Sequence, residues 1–512
     1  MKKTINIILV FLVFTVTTMI SCTKLDEKLN DGLTQEQANS FGSPSGLLKN
    51  AYDQLQKTMV DQGSFWALEE HSSDELVGPT RSSDWDDNGR WRKLHLHTYD
   101  KTHDLIGTSY EELLILQYSA TNVLNFSPSP QQKAEARFLR AYSMYCSLIG
   151  WGQVAFRSET ETAAIPPVKK PAEAMDFIIS ELTAIVPDLP SRPTALASQA
   201  NKDAANFLLM KCYLNKGMVV NRAAPTFAAA DMAQVITLAN SITGYTLTPN
   251  FFDNFSENNI SASTENIFTE SNNASTVSRN GNSVKSRWFM TLNYNHSFGG
   301  WNGFTTLSDF YNKFESADKR RSASYPGITN VTGMKLGFLV GPQLNAAGVQ
   351  YVDGKGVPLS YTSNINISET VQPAIEQAGI RVIKYSTTNA NKDVPTNDYV
   401  FFRYADVLLM KAEALVRSSA SPSAPALTII NNLRTARGAS ALPSSLSLTD
   451  ILDERGRELY WEGWRREDQI RFGTFLSSNQ LKPSITSAKF LLFPIPDNDL
   501  SANPNLVQNP GF

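Results

Sequence analysis

The sequence predicts a mainly α-helical chain, a scaffold of tetratricopeptide-like helix pairs interrupted by one large, irregular, loop-rich insertion. Three observations lead there. The segments Ala136-Arg-Phe-Leu-Arg-Ala-Tyr-Ser143, Ala205-Asn-Phe-Leu-Leu-Met-Lys-Cys212 and Ala405-Asp-Val-Leu-Leu-Met-Lys-Ala412 repeat one pattern of Ala, then Phe or Val, then Leu, then a small residue. The first two begin at Ala136 and Ala205, close to twice the ~34-residue period of a two-helix repeat, whose small residues let neighbouring helices approach. The third begins only at Ala405, and in between the chain loses helical period and becomes rich in Asn, Ser, Thr and Gly, with turn-prone Asn280-Gly281, Gly299-Gly300 and Asp353-Gly354.

The chain begins with Lys2 and Lys3 ahead of an apolar run over residues 5–20, the form of a secretory signal peptide. Ser21 directly before Cys22 resembles a bacterial lipobox, so residues 1–21 are expected to be removed and the Cys22 thiol lipidated, ordinary secretion with a free thiol being the alternative. Residues 22–40 then read as a polar tether. The body divides into an N-terminal helical part (41–243), the inserted lobe (244–397) and a C-terminal helical part (398–512).

A first helix is expected from Ser43 as cap and Pro44 at the first position, with Leu47, Leu48, Ala51, Tyr52, Leu55 and Met59 on one face. Residues 71–99 fit no helix or strand template and read as a loop dense in side-chain donors and acceptors. Helical period returns from about Leu105 to Leu124, and inside the insertion at Thr306 to Phe314. Near the end, Arg455, Glu458, Leu459 and Glu462 fall on one helical face before Gly463, where carboxylates and guanidiniums can pair locally while Trp461 and Trp464 fill the core.

The balance of 46 basic against 49 acidic residues gives no electrostatic reason to expect nucleic acid as a partner. With Cys22 committed to lipid, Cys146 and Cys212 sit in apolar helical patterns and read as buried free thiols. His95 and His97 lack the spacing of a zinc helix and read as packing residues. No cofactor is expected, although Asp353 in its glycine-bearing surroundings permits a structural Ca2+. There is no nucleophile elbow, complete phosphate loop or His-Glu-x-x-His motif, and no catalytic residue is assigned.

The order Glu454-Arg455, Arg457-Glu458-Leu459, Glu462-Gly463, Arg465, Asp468, Ile470-Arg471 resembles the C-terminal signature of the SusD/RagB family, surface glycan-binding lipoproteins of Bacteroidota. The tail is similar too, in Phe490-Leu-Leu-Phe-Pro-Ile-Pro496, Asn503-Pro-Asn-Leu506 and Gln508-Asn-Pro-Gly-Phe512. The likeness extends to Asp74, Arg81, Asp84-Trp85 and Asn88-Gly-Arg-Trp91 near the start, and to Trp301-Asn-Gly-Phe304 and Arg381-Val-Ile-Lys-Tyr385 in the insertion.

The resemblance implies a non-enzymatic outer-membrane lipoprotein on the cell surface. It would hold oligosaccharide or polysaccharide and pass it to a SusC-like TonB-dependent transporter, with a RagB-like peptide or protein receptor as the alternative. A sugar ring presents an apolar face edged by hydroxyls, so its site needs aromatic planes beside hydrogen-bonding side chains. Two regions offer both: Asp74, Arg81, Asp84 and Trp85 in the first loop, and Trp288, Tyr294, Asn295, Trp301 and Asn302 in the insertion. Asp74 and Arg81 look like the family's Asp and Arg, while Trp85 and Trp301 equally suit loop anchors and Asp84 equally suits a partner for Arg90.

Overall fold

A computed structural model describes residues 42–161, 163–192, 196–272, 283–388, 391–418 and 424–512. Cys22 with its lipobox, and the turn at Asn280-Gly281, lie outside these residues. Helix α1 (Pro44–Val60) starts at the proline and buries Leu48, Ala51, Leu55 and Met59, as the period requires. The stretch read as a loop is more ordered than the sequence suggests. Helix α2 (Phe65–His71) enters it, strands β1 (Leu76–Val77) and β2 (Thr80–Arg81) follow, and a short helix α3 (Arg90–His95) starts at Gly89, whose φ of 79° is left-handed.

The helical stack continues with α4 (Asp104–Val123), α5 (Pro130–Trp151), α6 (Pro171–Ile185), α7 (Lys202–Val220) and α8 (Ala229–Ser241). Their boundaries follow local chemistry. Ser129 and Gln132 form a reciprocal capping box ahead of Pro130, Gly152 ends α5 in the left-handed region, and Asn201 accepts from the Ala204 amide to cap α7. Each helix packs on the next, α1 on α4 and then α5 through α8 in sequence.

The insertion contributes β3 (Asn266–Glu270), β4 (Thr305–Thr306), β5 (Leu336–Leu339), β6 (Ser368–Glu369) and β7 (Arg381–Ile383). The segment read as helical from Thr306 has one turn of helix, Ser308–Tyr311. Strand β8 (Tyr399–Arg403) pairs antiparallel with β3, so the two ends of the insertion are tied together at the point where α9 (Tyr404–Ser418) begins. Helix α9 packs directly on α8 and resumes the stack, with α10 (Ala424–Ala436) and α11 (Leu448–Leu459) against it and α12 (Arg465–Arg471) at its end. The three repeated segments thus lie in α5, α7 and α9. Residues 44–512 form one compact unit, in which the insertion shares a core with the helices instead of standing as a separate lobe.

What joins them is charge as well as apolar surface. Trp461 and Trp464 are buried, as expected, but the ion pairs of α11 are mostly not local. Glu458 receives Arg320 from the insertion, Arg403 from the end of β8 and Arg437 from the end of α10, at 2.9, 2.7 and 2.7 Å. Arg455 pairs with Asp406 and Asp468, and Glu462 with Lys384 and Arg403. The helix itself stops at Leu459, four residues before the glycine, because Tyr460 turns to a ψ of 137° and Trp461 to a left-handed φ of 59°. Among the described residues no helix is long and apolar enough to cross a membrane.

Candidate functional site

Short strands bring the first loop and the insertion together. β1 pairs antiparallel with β4, placing Leu76 opposite Thr306, and β2 pairs parallel with β6. Between them Arg81 and Asp84 exchange backbone hydrogen bonds of 2.8 and 3.0 Å, a tight turn that drives Trp85 to a left-handed φ of 59°. That conformation costs a bulky L residue about 1–3 kcal/mol. The offset is visible: the Trp85 indole N–H donates to the Trp301 carbonyl at 2.8 Å, and its ring lies 5.0 Å from Phe304 and 6.0 Å from Trp91. Gly303 makes the approach possible, since a Cβ there would stand 2.3 Å from the Trp85 ring.

Trp301 is held by its amide on the Phe289 carbonyl and by its ring 5.0 Å from that of Phe289, yet 39% of it stays exposed. Tyr294 is 41% exposed and donates its hydroxyl to Asp84 Oδ2 at 3.2 Å. Partial burial, and then the Asp84 charge, push the Tyr294 phenol up to about 12, so it remains a donor. Trp85, Tyr294, Trp301 and Asp84 line one cleft of about 420 Å3 with Gln62, Asp87, Arg90 and Trp91. Asp87 accepts from the Trp91 indole at 2.9 Å, and Arg90 pairs with Asp104, so Asp84 is Tyr294's partner and not Arg90's.

Other residues expected at the site lie elsewhere. Asp74 is clamped by Arg465 through bonds of 2.7 and 2.9 Å; burial pushes its carboxyl up, but Arg465 outweighs that and holds it low. Arg81 is buried beneath the cleft and donates to the carbonyls of Gly303, Ile375 and Ala378, fastening the Trp301 loop to the 375–378 turn. Burial, followed by Arg381 nearby, lowers its pKa well below the usual guanidinium range. Trp288 is fully buried, and Asn302, also buried, accepts from Arg381 and donates to the Ile375 carbonyl. Asn295 donates to the Asp353 carbonyl at 2.9 Å and is not among the cleft residues. Linear sequence records residue type but not depth, so these look like ligand contacts until the fold is built around them.

The sequence reading missed Gln62, Asp87, Arg90 and Trp91 as cleft residues, naming Arg90 only as a partner for Asp84. Asp87 and Trp91 carried a signal, lying within the same polar and aromatic run as Trp85, whereas Gln62 follows α1 with none. The Asp353 carboxylate accepts from the Lys355 and Val357 amides and from Gln377, all at 2.9 Å, and so organises a turn. His95 bonds the Gln480 carbonyl, and His97 bonds Thr486 and the Ser72 carbonyl. Cys146 and Cys212 are free and buried, as expected.

The profile of the SusD family matches residues 247–512. Starch-binding protein SusD of Bacteroides thetaiotaomicron is 25% identical over 423 residues, covering 75% of this chain and 73% of that protein. Among solved structures, a laminarin-binding SusD-like protein superposes with a TM-score of 0.69 at 19% identity, covering 92% of this chain and 99% of its own. Surface glycan-binding protein A from Bacteroides thetaiotaomicron, in complex with laminarihexaose, gives 0.66 at 16% identity over 91% of this chain and 98% of its own. The likeness to these structures establishes the helical fold.

Proposed function

The chain belongs to the SusD family, and from that premise we propose that it is a cell-surface receptor that holds an oligosaccharide or polysaccharide in the Trp85–Tyr294–Trp301 cleft. The observation that carries this is the convergence of two exposed aromatic planes, Trp301 and Tyr294, with Asp84 and Arg90 in one preformed space. The planes suit the C–H faces of sugar rings; Asp84 and Asp87 accept from hydroxyls, and Gln62 and Arg90 donate to them. A different depression of about 410 Å3, beside Tyr118, is lined mostly by apolar surface and suits a sugar less.

The reading is of binding without chemistry. The two carboxylates of the cleft each accept from an aromatic donor, Asp84 from Tyr294 and Asp87 from Trp91, an arrangement that holds side chains still rather than arming one as an acid. Family membership supports delivery of the captured glycan to a SusC-like TonB-dependent transporter. The lipobox at Cys22 supports a lipid anchor in the outer membrane. A glycan array probed with protein starting after Cys22, followed by chromatography of the captured sugar, tests the reading: one polysaccharide class should be retained unshortened. Shortened products would reveal a hydrolase, and silence from folded protein would turn the assignment toward a peptide.

A further inference from the structure

Another cavity, of about 620 Å3, lies where the N-terminal ends of α1 and α5 meet residues 196–199 and the end of β3. It shares no lining residue with the aromatic cleft. Glu270, the last residue of β3, lines it while 93% buried, and among the described residues its carboxyl has no hydrogen-bond or ion-pair partner. A buried, unpartnered carboxyl is costly, and a native structure that keeps one calls for an explanation. Burial first, then the charges of Asp398 and Asp53, raise its pKa well above the usual carboxylate value, with Lys49 opposing.

The rest of the cavity is already partnered. Glu135 accepts from Gln131 and Gln199 at 3.0 and 2.7 Å and from the Tyr52 hydroxyl at 2.7 Å. The Lys49 ammonium pairs with Asp53 at 2.6 Å. Three acids, Asp53, Glu135 and Glu270, therefore face one cation that is itself engaged, so a further cation would meet the Glu270 carboxyl unpaired. Around Glu270 the walls are amides and hydroxyls, with Leu48 and the exposed Leu196 as apolar surface.

We propose that this cavity is a second ligand site that takes an amino sugar, its ammonium against Glu270, its ring hydroxyls among the glutamine and serine side chains, and its apolar face on Leu48 and Leu196. A primary ammonium pairs with Glu270 as the carboxylate, so binding pulls the raised pKa back down and shifts the carboxyl's proton equilibrium toward release to solvent, with no covalent change. The site extends the ligand range beyond the neutral sugars that the aromatic cleft suits, and it stands or falls independently of that cleft.

Calorimetric titration of the folded wild-type protein near neutral pH, in two buffers of different ionisation enthalpy, tests the site. The probes are D-glucosamine, N-acetylglucosamine, glucose and cadaverine. Glucosamine should bind with net proton release, and the other three at least about tenfold more weakly. Glu270→Gln, which keeps the shape, should weaken glucosamine at least about tenfold, and Trp301→Ala should leave it unchanged. Glucosamine binding no better than glucose, or without proton release, would overturn the proposal. Loss of binding in Trp301→Ala would overturn it by moving the sugar to the aromatic cleft. Cadaverine binding as well as glucosamine would overturn it by showing that the amine alone is recognised. The wild-type comparisons decide the matter even if Glu270→Gln fails to fold.

Discussion

Replacing Trp301 and Trp288 separately by Ala distinguishes a ligand platform from a core residue, although both belong to the same aromatic-rich stretch of the insertion. Trp301 leaves 39% of its surface open on the cleft, while Trp288 leaves none. Losing one stacking plane costs binding about 1–3 kcal/mol, a factor of about 5 to 150 in Kd. The Trp85 indole bonds to the Trp301 backbone carbonyl, which alanine keeps, so Trp85 stays anchored and stability should fall only modestly. Trp288→Ala empties a fully buried site and should cost about 3–5 kcal/mol of stability while the folded fraction binds normally. Urea unfolding and calorimetric titration with the captured glycan read the two quantities. Unchanged affinity in Trp301→Ala, or an equal loss of affinity in folded Trp288→Ala, would refute the assignment of the platform.

Glu458→Gln should destabilise the protein by about 3–5 kcal/mol in urea unfolding, since it leaves Arg437 with Glu265 as its remaining carboxylate; a loss under about 1 kcal/mol would count against the charge cluster as a structural joint. Acid titration should show the same joint. Burial raises Glu454 and Asp468, but Arg320 and Arg457 around the first, and Arg455 and Arg471 around the second, outweigh it and hold both at about 2. Their folded values lie below their unfolded ones, so their stabilisation is complete above about pH 4.5 and should fade as pH falls toward 2, as followed by circular dichroism. Gly303→Ala should push the Trp85 ring away, costing about 1–3 kcal/mol of stability and weakening glycan binding together, measurable on one sample.

The helical scaffold was legible because its signals are local. Pro44, the apolar period from Leu47 to Met59 and the repeated Ala-x-Phe/Val-Leu pattern each act within a few turns, and the helices fall where these residues put them. The pairing of charges was not legible. Arg455 meets Asp406 where α11 packs on α9, and Arg320 meets Glu454 and Glu458 only once the insertion closes on α11. The site divides along the same line. Trp85, Tyr294 and Trp301 could be singled out by type, but the turn that buries Arg81 and the clamp of Arg465 on Asp74 depend on which neighbours arrive in space. A guanidinium aimed at carbonyls and one aimed at a ligand have the same sequence.

Glycan capture by the cleft is decided by comparing the affinity of the captured glycan for wild type and for the double variant Tyr294→Ala/Trp301→Ala, with recovery of the sugar at the end. The account predicts unshortened sugar from wild type and a loss of at least about tenfold in the double variant, with unfolding of both remaining cooperative. Equal binding by the two proteins, or sugar recovered in shortened form, would contradict it.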